Sequence, residues 1–246
     1  MMMPMKIQWT FHELPECDST FLEVRRLPAW SAVNAITQHR GRGRFNRTWF
    51  GEPGGLWICY NVPLDVESER NWGLLPLVAG AAMIRTLAPC SISGLRLRWP
   101  NDVMVGRGKL AGILVERPAL RMASIGIGVN IANDVAGLAG RTQDVAVRLA
   151  DLVPHCPSVH DFRVELAEHL AEVFTAFCER GLAAVTPLLD AAWDRSVVSE
   201  VETDTARYRG LFAGIAEDGS PLLRQSDGSI LTIPGITVNR LTEPQA

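Results

Sequence analysis

The stretch GLRLRWPNDVMVGRGKLAGILVE, residues 94–116, decides the fold of this chain. Apolar and polar residues alternate in GLRLRWPN, and the run DVMV, apolar after Asp102, ends at the glycines Gly106 and Gly108. A period of two is typical of half-buried strands, and the glycines favour a tight turn. We therefore predict a β-hairpin whose second strand opens with Lys109. This residue is one of only two lysines in the chain, the other being Lys6.

The segments around this hairpin show a mixed pattern of helices and strands. Residues 71–88 have the length and alanine content of a buried helix, and apolar residues recur at helical spacing over 158–180. Shorter helices are predicted at 18–27 and 186–196, and strand-like runs occupy 11–17, 31–38, 55–64 and 121–132. The predicted fold class is α+β, with a mixed sheet flanked by helices.

The sequence changes in character after Val197. Residues 197–246 consist of short strand-like runs that are broken by EDG and SDG turns. A segment of this kind predicts a small β-barrel appended to a larger domain. We accordingly predict two domains, over residues 1–196 and 197–246.

Composition limits the classes of function. A formal net charge of -3 with 47% hydrophobic and 21% charged residues is ordinary for a soluble protein and argues against a general nucleic-acid binder. Apolar runs stay short of the roughly 20 residues that a membrane span needs, and the start MMMPMKIQW lacks the apolar core of a signal peptide. We expect a cytoplasmic protein with neither a nucleic-acid nor a membrane partner. The five scattered cysteines are expected to be free thiols.

Common catalytic motifs do not occur in the sequence. GRGKL lacks the distal glycine and the Ser/Thr of a phosphate-binding P-loop, and GIGVNI has two glycines of a dinucleotide fingerprint but not the third. Neither a nucleophile elbow nor an HExxH motif is found. A protein nucleophile and a zinc site are therefore not predicted.

The segment QHRGRGRFNRTWFGEPGG, residues 38–55, concentrates four arginines and five glycines. Arginine offers planar, bidentate donors that suit phosphate, and glycine permits backbone conformations that other residues avoid. Three interpretations compete: a solvated surface loop, an RNA-binding arginine–glycine segment, and a lid that closes on an anionic ligand.

Four segments, taken in order, decide between them. GRGRFNRTW, RWPNDV, GRGKLAGILVE and GIGVNI resemble the four signature segments of the biotin–protein ligase family. The resemblance extends from about residue 18 to the C-terminus. It implies a biotin/lipoate ligase-like catalytic domain over 1–196 and an SH3-like barrel over 197–246. A helix-turn-helix domain, which some members carry in front, is expected to be absent, as in the monofunctional type.

The resemblance also implies an activity. Members activate biotin with Mg²⁺ and ATP as biotinyl-5′-AMP, and then transfer biotin to a lysine of a biotin carboxyl carrier protein or domain. A homodimer is possible, since the family contains monomers and dimers. Two alternatives stay open, namely a non-catalytic biotin- or adenylate-binding homologue and a ligase for a related acid such as lipoate.

The resemblance assigns roles to individual residues. Lys109 and Arg44 are the predicted catalytic residues. Biotin is expected to contact Ser19, Thr20, Gln38, Gly41, Arg42, Trp49, Lys109 and Gly112. ATP and the adenylate are expected to contact Arg42, Arg44, Arg47, Lys109 and Asn130. The metal ligands are not predicted, although Asp102 is a candidate that could equally pair with a loop arginine.

Two positions depart from the family pattern. Arg98 stands where members usually have lysine, and a guanidinium is not a small point charge. Phe21 replaces the asparagine of a Ser-Thr-Asn sequence, so a polar group is missing where the ureido ring is expected to bind.

Overall fold

The computed structural model describes residues 7–138, 140, 142 and 144–244. Within this part of the chain there are a nine-stranded mixed sheet and a five-stranded antiparallel sheet. The strands of the first sheet are β1 Thr10–Cys17, β2 Ser31–Arg42, β3 Thr48–Gly51, β4 Leu56–Pro63, β5 Leu95–Arg98, β6 Asp102–Val105, β7 Gly108–Ala119, β8 Met122–Val129 and β9 Val145–Ala146.

The first sheet runs in the order β1-β2-β4-β8-β7-β6-β5, with β3 paired to β2 and β9 to β7. Its β1–β2 and β7–β9 pairs are parallel and the other pairs are antiparallel. The predicted hairpin is therefore the β6–β7 pair, and the preceding run adds β5 to give three consecutive antiparallel strands. The α+β class and the mixed sheet are confirmed.

The helices pack in two separate apolar clusters. They are α1 Thr20–Val24, α2 Val66–Arg70, α3 Leu75–Leu87, α4 Val159–Arg180 and α5 Thr186–Ala192. Helix α4 begins where the sequence predicted, because the Ser158 hydroxyl accepts a hydrogen bond from the Asp161 amide and caps its first turn. Helix α3 is shorter than predicted, since residues Trp72–Leu74 form a 3₁₀ turn before it. By length and composition Trp72–Cys90 resembles a membrane span, but α3 packs its buried side chains into the core.

The second sheet lies at the C-terminal end of the described chain. Its strands are β10 Val198–Thr203, β11 Arg207–Ile215, β12 Pro221–Arg224, β13 Ile230–Thr232 and β14 Val238–Thr242, in the order β13-β12-β11-β10-β14. Among the described residues no pairing of β13 with β14 closes this sheet. An antiparallel C-terminal sheet is thus confirmed, but a closed barrel is not.

The arginine–glycine segment is more regular than its composition suggested. Strand β2 continues to Arg42 and pairs with β3, with Gly41 opposite Trp49. The register shifts between Gln38 and Gly41, which indicates a bulge. Arg42, Arg44 and Arg47 of this β2–β3 segment line the same cavity as Lys109.

Candidate active site

The predicted site residues surround one cavity of about 750 Å³. Its walls come from both ends of the chain, since α1, the β2–β3 hairpin, β6–β8 and the second sheet all contribute. The lining residues that the sequence predicted are Thr20, Gln38, Arg42, Arg44, Arg47, Trp49, Lys109, Gly112 and Asn130. Ser19 and Gly41 lie next to lining residues rather than in the lining itself. A volume of this size is typical of a site for a small organic ligand.

Lys109 is held by a carboxylate inside this cavity. Its Nζ lies 2.6 Å from Oδ1 of Asp102 and 5.4 Å from the centre of the Trp49 ring. The β6–β7 pairing brings the two residues together, because a register irregularity between Val103 and Met104 places Lys109 opposite Met104. The ammonium group is thus fixed at its tip and only about one-fifth exposed.

Arg98 completes a cluster of alternating charges with Lys109. Its guanidinium donates to Asp102 Oδ2 at 2.6 Å and to both oxygens of Asp144 at 2.8 and 2.7 Å. Burial alone would lower the pKa of Arg98, but the hydrogen bonds and charges of Asp144 and Asp102 outweigh it and raise that pKa. Burial would likewise raise the pKa of Asp144, whereas Arg98 lowers it on balance. Both groups are therefore ionised at neutral pH.

The arginines of the β2–β3 hairpin do not all point to the same place. Arg44 donates to Asn101 Oδ1 at 3.4 Å, and its partial burial lowers its pKa. Arg42 instead pairs with Glu116 at 3.0 Å and stands 5.6 Å from the centre of the Phe21 ring. The hairpin therefore brings one guanidinium to the WPND turn and another to the α1 end of the cavity.

The α1 end of the cavity combines a polar pair with an aromatic ring. Gln38 Oε1 accepts hydrogen bonds from the amide and the hydroxyl of Thr20, at 2.9 and 3.1 Å. The Ser19 hydroxyl is buried and has no hydrogen-bond partner in the described part of the chain. Phe21 is buried against β8, where a Cβ on Gly126 would stand 2.3 Å from the ring.

The floor of the cavity is apolar and closely packed. A Cβ on Gly112 would stand 2.6 Å from the Trp49 indole, and one on Gly128 would stand 2.5 Å from it. Trp49 meets Trp57 edge to face at 6.3 Å between ring centres. Two neighbouring strands therefore need glycine at these positions to accept the indole.

Asn130 lies beyond Lys109 at the end of β8. Its Nδ2 donates to the Lys109 carbonyl at 3.4 Å, and its Oδ1 accepts from Asn133 at 3.1 Å. Asn130 therefore links the lysine strand to the loop that follows β8.

Sequence reasoning missed several residues that line the cavity or pair with a lining residue. Asp144 and Glu116 are each separated from the motifs they pair with by many residues, so no local signal marks them. The second sheet also lines the cavity, through residues that include Glu200, Glu202, Arg207, Arg240 and Glu243. Only the tertiary fold brings these side chains to the site.

Known proteins resemble this chain in sequence. A sequence model of the Biotin/lipoate A/B protein ligase family matches residues 12–130. The biotin--[acetyl-CoA-carboxylase] ligase of Paracoccus denitrificans is 31% identical over 234 residues, covering 87% of this chain and 94% of that protein. The bifunctional ligase/repressor BirA of Bacillus subtilis is 28% identical over 148 residues, which span 58% of this chain and 43% of BirA.

The fold also has counterparts among solved structures. The biotin protein ligase from Aquifex aeolicus, in complex with biotin and ATP, superposes with a TM-score of 0.82 over 95% of this chain and 99% of that one, at 23% identity. At that level of identity the likeness speaks for the fold. Together with the extent and identity of the Paracoccus match, it leads to one assignment: the chain belongs to the biotin/lipoate A/B protein ligase family.

Proposed function

We propose that this protein is an ATP-dependent biotin ligase that forms biotinyl-5′-AMP and transfers biotin to a lysine of a biotin carboxyl carrier domain. The observation that carries the proposal is the convergence of Lys109 and Arg44 on one cavity that ends at the Thr20–Gln38 pair. The name of the Paracoccus relative supports the acceptor, which is then the carrier domain of acetyl-CoA carboxylase.

The first half-reaction joins two anions. A carboxylate oxygen of biotin attacks the α-phosphorus of ATP, a P–O bond forms, and the bond to the β-phosphate breaks to release pyrophosphate. The negative charge that gathers on the phosphoryl oxygens needs preorganised cations. Lys109 provides one when its ammonium turns from Asp102 to the ligand, and Arg44 and Arg47 provide others from the hairpin.

The second half-reaction needs no protein nucleophile. The acceptor lysine, as a neutral amine, attacks the acyl carbon of the mixed anhydride, and AMP leaves as the amide forms. Water would destroy the anhydride, so the intermediate must be covered until the acceptor arrives. The β2–β3 hairpin with Trp49 is placed to cover it.

The opposite end of the cavity suits the ureido ring of biotin. Thr20 donates its hydroxyl to Gln38, which leaves the hydroxyl lone pairs and the Gln38 amide free to accept from and donate to a ligand. Ser19 adds a buried hydroxyl beside them. Arg42, Gly41 and Gly112 are proposed as further biotin contacts. Because the Trp49 indole packs against Gly112, the acyl chain reaches that strand only when the indole moves aside.

Mg²⁺ would be bound at this site mainly through the phosphates of ATP. The oxygens of Asp102 and Asp144 already bind Arg98 and Lys109, so the cluster is not a ready cage of free carboxylates. Mg²⁺ generally binds through substrate phosphates, water and one or two carboxylates. Asp102 is the residue we propose as its protein contact, where the ion would screen charge on the phosphates.

The remaining assignments belong to the same proposal. We propose that the C-terminal sheet is the SH3-like barrel of the family and that the domain boundary lies between residues 196 and 197. Asn130 is proposed to face the adenine. A cytoplasmic location follows from the acceptor, and a homodimer is compatible with the described surface.

The test is a stoichiometric burst of pyrophosphate on mixing concentrated protein with Mg-ATP and biotin, with lipoate and octanoate in parallel. Lys109→Ala is expected to abolish the burst, while Arg107→Ala, on the exposed turn two residues earlier, serves as the matched control. Tight biotin binding with no burst for any acid would leave a non-catalytic binding protein. A burst with lipoate or octanoate in place of biotin would assign the related acid.

A further inference from the structure

Two carboxylates line the cavity at the place where the proposed function puts a phosphate. Asp102 and Asp144 approach from different elements, since Asp102 opens β6 and Asp144 precedes β9. Both would repel an anionic ligand if they carried uncompensated charge. The protein therefore needs cations that neutralise them without occupying the ligand's position.

Arg98 is the residue that meets both carboxylates. It makes a two-point contact with Asp144 at 2.8 and 2.7 Å, and it reaches Asp102 Oδ2 at 2.6 Å through Nη2 and at 3.3 Å through Nε. Arg98 is only 9% exposed. The contacts use several edges of the planar guanidinium at once, which a lysine ammonium cannot reproduce.

Asp102 Oδ1 is thereby left for Lys109, at 2.6 Å. The chain of contacts runs from Asp144 through Arg98 and Asp102 to Lys109, with two positive and two negative charges. Arg47 and Lys109 also lie close enough to Asp144 to favour its ionised form. Asp144 is therefore part of the electrostatic environment that a phosphate would meet.

We propose that Arg98 and Asp144 are a matched pair in which Arg98 neutralises Asp144 and positions Asp102, so that ATP can bind beside Lys109. Arg98 is a positioning residue, acting through the two aspartates. The inference rests on the proposed ligase function.

The pair also fixes the segment that carries Asp144. Strand β9 is only two residues long, and the following amide of Val147 donates to the Lys109 carbonyl at 3.1 Å. So short a strand gains little from its own ladder, and the Arg98–Asp144 contact anchors the residue that precedes it. Loss of either partner should free the Val147 amide for exchange with solvent.

A double-mutant cycle tests the pairing, using the parent protein, Arg98→Lys, Asp144→Asn and the double variant in the pyrophosphate assay. Arg98→Lys should raise the ATP concentration that gives half of the maximal burst rate about tenfold when Asp144 is intact, and less than about twofold when it is combined with Asp144→Asn, since a neutral side chain no longer needs a second cation. The maximal burst rate should change less than this concentration. Equal losses of ATP affinity in the two backgrounds would overturn the proposal.

Hydrogen exchange at Val147 provides a readout that does not depend on activity. All three variants should exchange faster than the parent, and by similar factors, because either change breaks the same contact. Faster exchange in Arg98→Lys alone would contradict the matched pair. If the parent itself releases no pyrophosphate with any acid, the ligase proposal fails, and the exchange data still decide whether Arg98 and Asp144 act together.

Discussion

At the scale of single residues, two cations of the site share one carboxylate. Asp102 serves two cations, with Oδ1 toward Lys109 and Oδ2 toward Arg98. A shared carboxylate can release Lys109 to an incoming anion while Arg98 keeps it neutralised. An incoming anion therefore needs to displace only the Lys109 contact, and Asp102 keeps its ion pair with Arg98.

The glycine floor under Trp49 gives the first prediction. In Gly128→Ala the new Cβ would stand 2.5 Å from the indole, so Trp49 must move away from β8. We expect biotin affinity to fall about tenfold, a change of about 1.4 kcal/mol, together with an altered tryptophan fluorescence spectrum. Gly73→Ala is the matched control, because a Cβ there meets no atom within 4 Å. Unchanged biotin affinity in Gly128→Ala would show that the floor is not part of the binding site.

A second prediction concerns the thiol of Cys17, next to the α1 end of the cavity. Burial, and then the charges of Glu23 and Asp18, raise its pKa to about 11. The reactive thiolate should make up about one in a thousand molecules at pH 8 and increase about tenfold per pH unit up to pH 10. Mass spectrometry after short iodoacetamide pulses measures this rise. In urea, where the ordinary pKa of about 8.5 applies, labelling should level off by pH 9.5. A similar plateau in the folded protein would contradict the raised pKa.

At the scale of elements, the sequence predicted most of what local pattern controls. The β6–β7 hairpin, α4 and the apolar strands β4 and β8 follow from periodicity and from turn and cap residues. The extension of β2 to Arg42 was missed, because glycine and arginine have weak strand preference and the pairing partner β3 supplies the order. Asp144 and Glu116 were missed for a related reason, since long-range pairs leave no trace in local sequence.

Helix α4 is attached to the sheet by a buried arginine, which gives a third prediction. Arg163 is 7% exposed and donates to Glu13 at 2.7 Å and to Asn34 at 2.5 Å, on β1 and β2. Arg163→Met takes the donor away from the buried Oδ1 of Asn34, whereas Glu13, whose side chain is 58% exposed, can be hydrated instead. The substitution should lower the free energy of unfolding by about 2 kcal/mol in urea titrations.

The matched control for Arg163 is an exposed ion pair that also holds α4, between Glu172 on α4 and Arg85 on α3. Arg85 and Glu172 join α3 to α4 at 2.7 Å, with side chains 42% and 58% exposed. Arg85→Met should therefore cost less than about 1 kcal/mol. Comparable losses from the two substitutions would mean that burial does not set the strength of this attachment.

At the scale of the whole molecule, the two sheets share one core. Apolar residues of the second sheet, among them Phe212 and Leu223, belong to the same buried cluster as α3 and β8. The Trp193 and Phe212 rings meet at 5.0 Å, and Trp99 of the WPND turn donates to the Gly219 carbonyl at 3.0 Å. The division between residues 196 and 197 stays a prediction about architecture, and it need not mark independent stability.

The last prediction is that the two sheets unfold together. Arg96 on β5 makes a two-point contact with Glu243 at 2.6 and 2.5 Å, so separating the sheets would break this ion pair as well as expose apolar surface. Phe212→Ala, in the second sheet, should lower the free energy of unfolding by about 3 kcal/mol. Tryptophan fluorescence and far-ultraviolet circular dichroism should shift to the same lower urea midpoint, because a shared core makes the transition cooperative. Ile236→Ala, at a side chain that is 98% exposed, is the control and should leave the midpoint unchanged. Two separated transitions in Phe212→Ala would instead establish the C-terminal sheet as an independently stable domain.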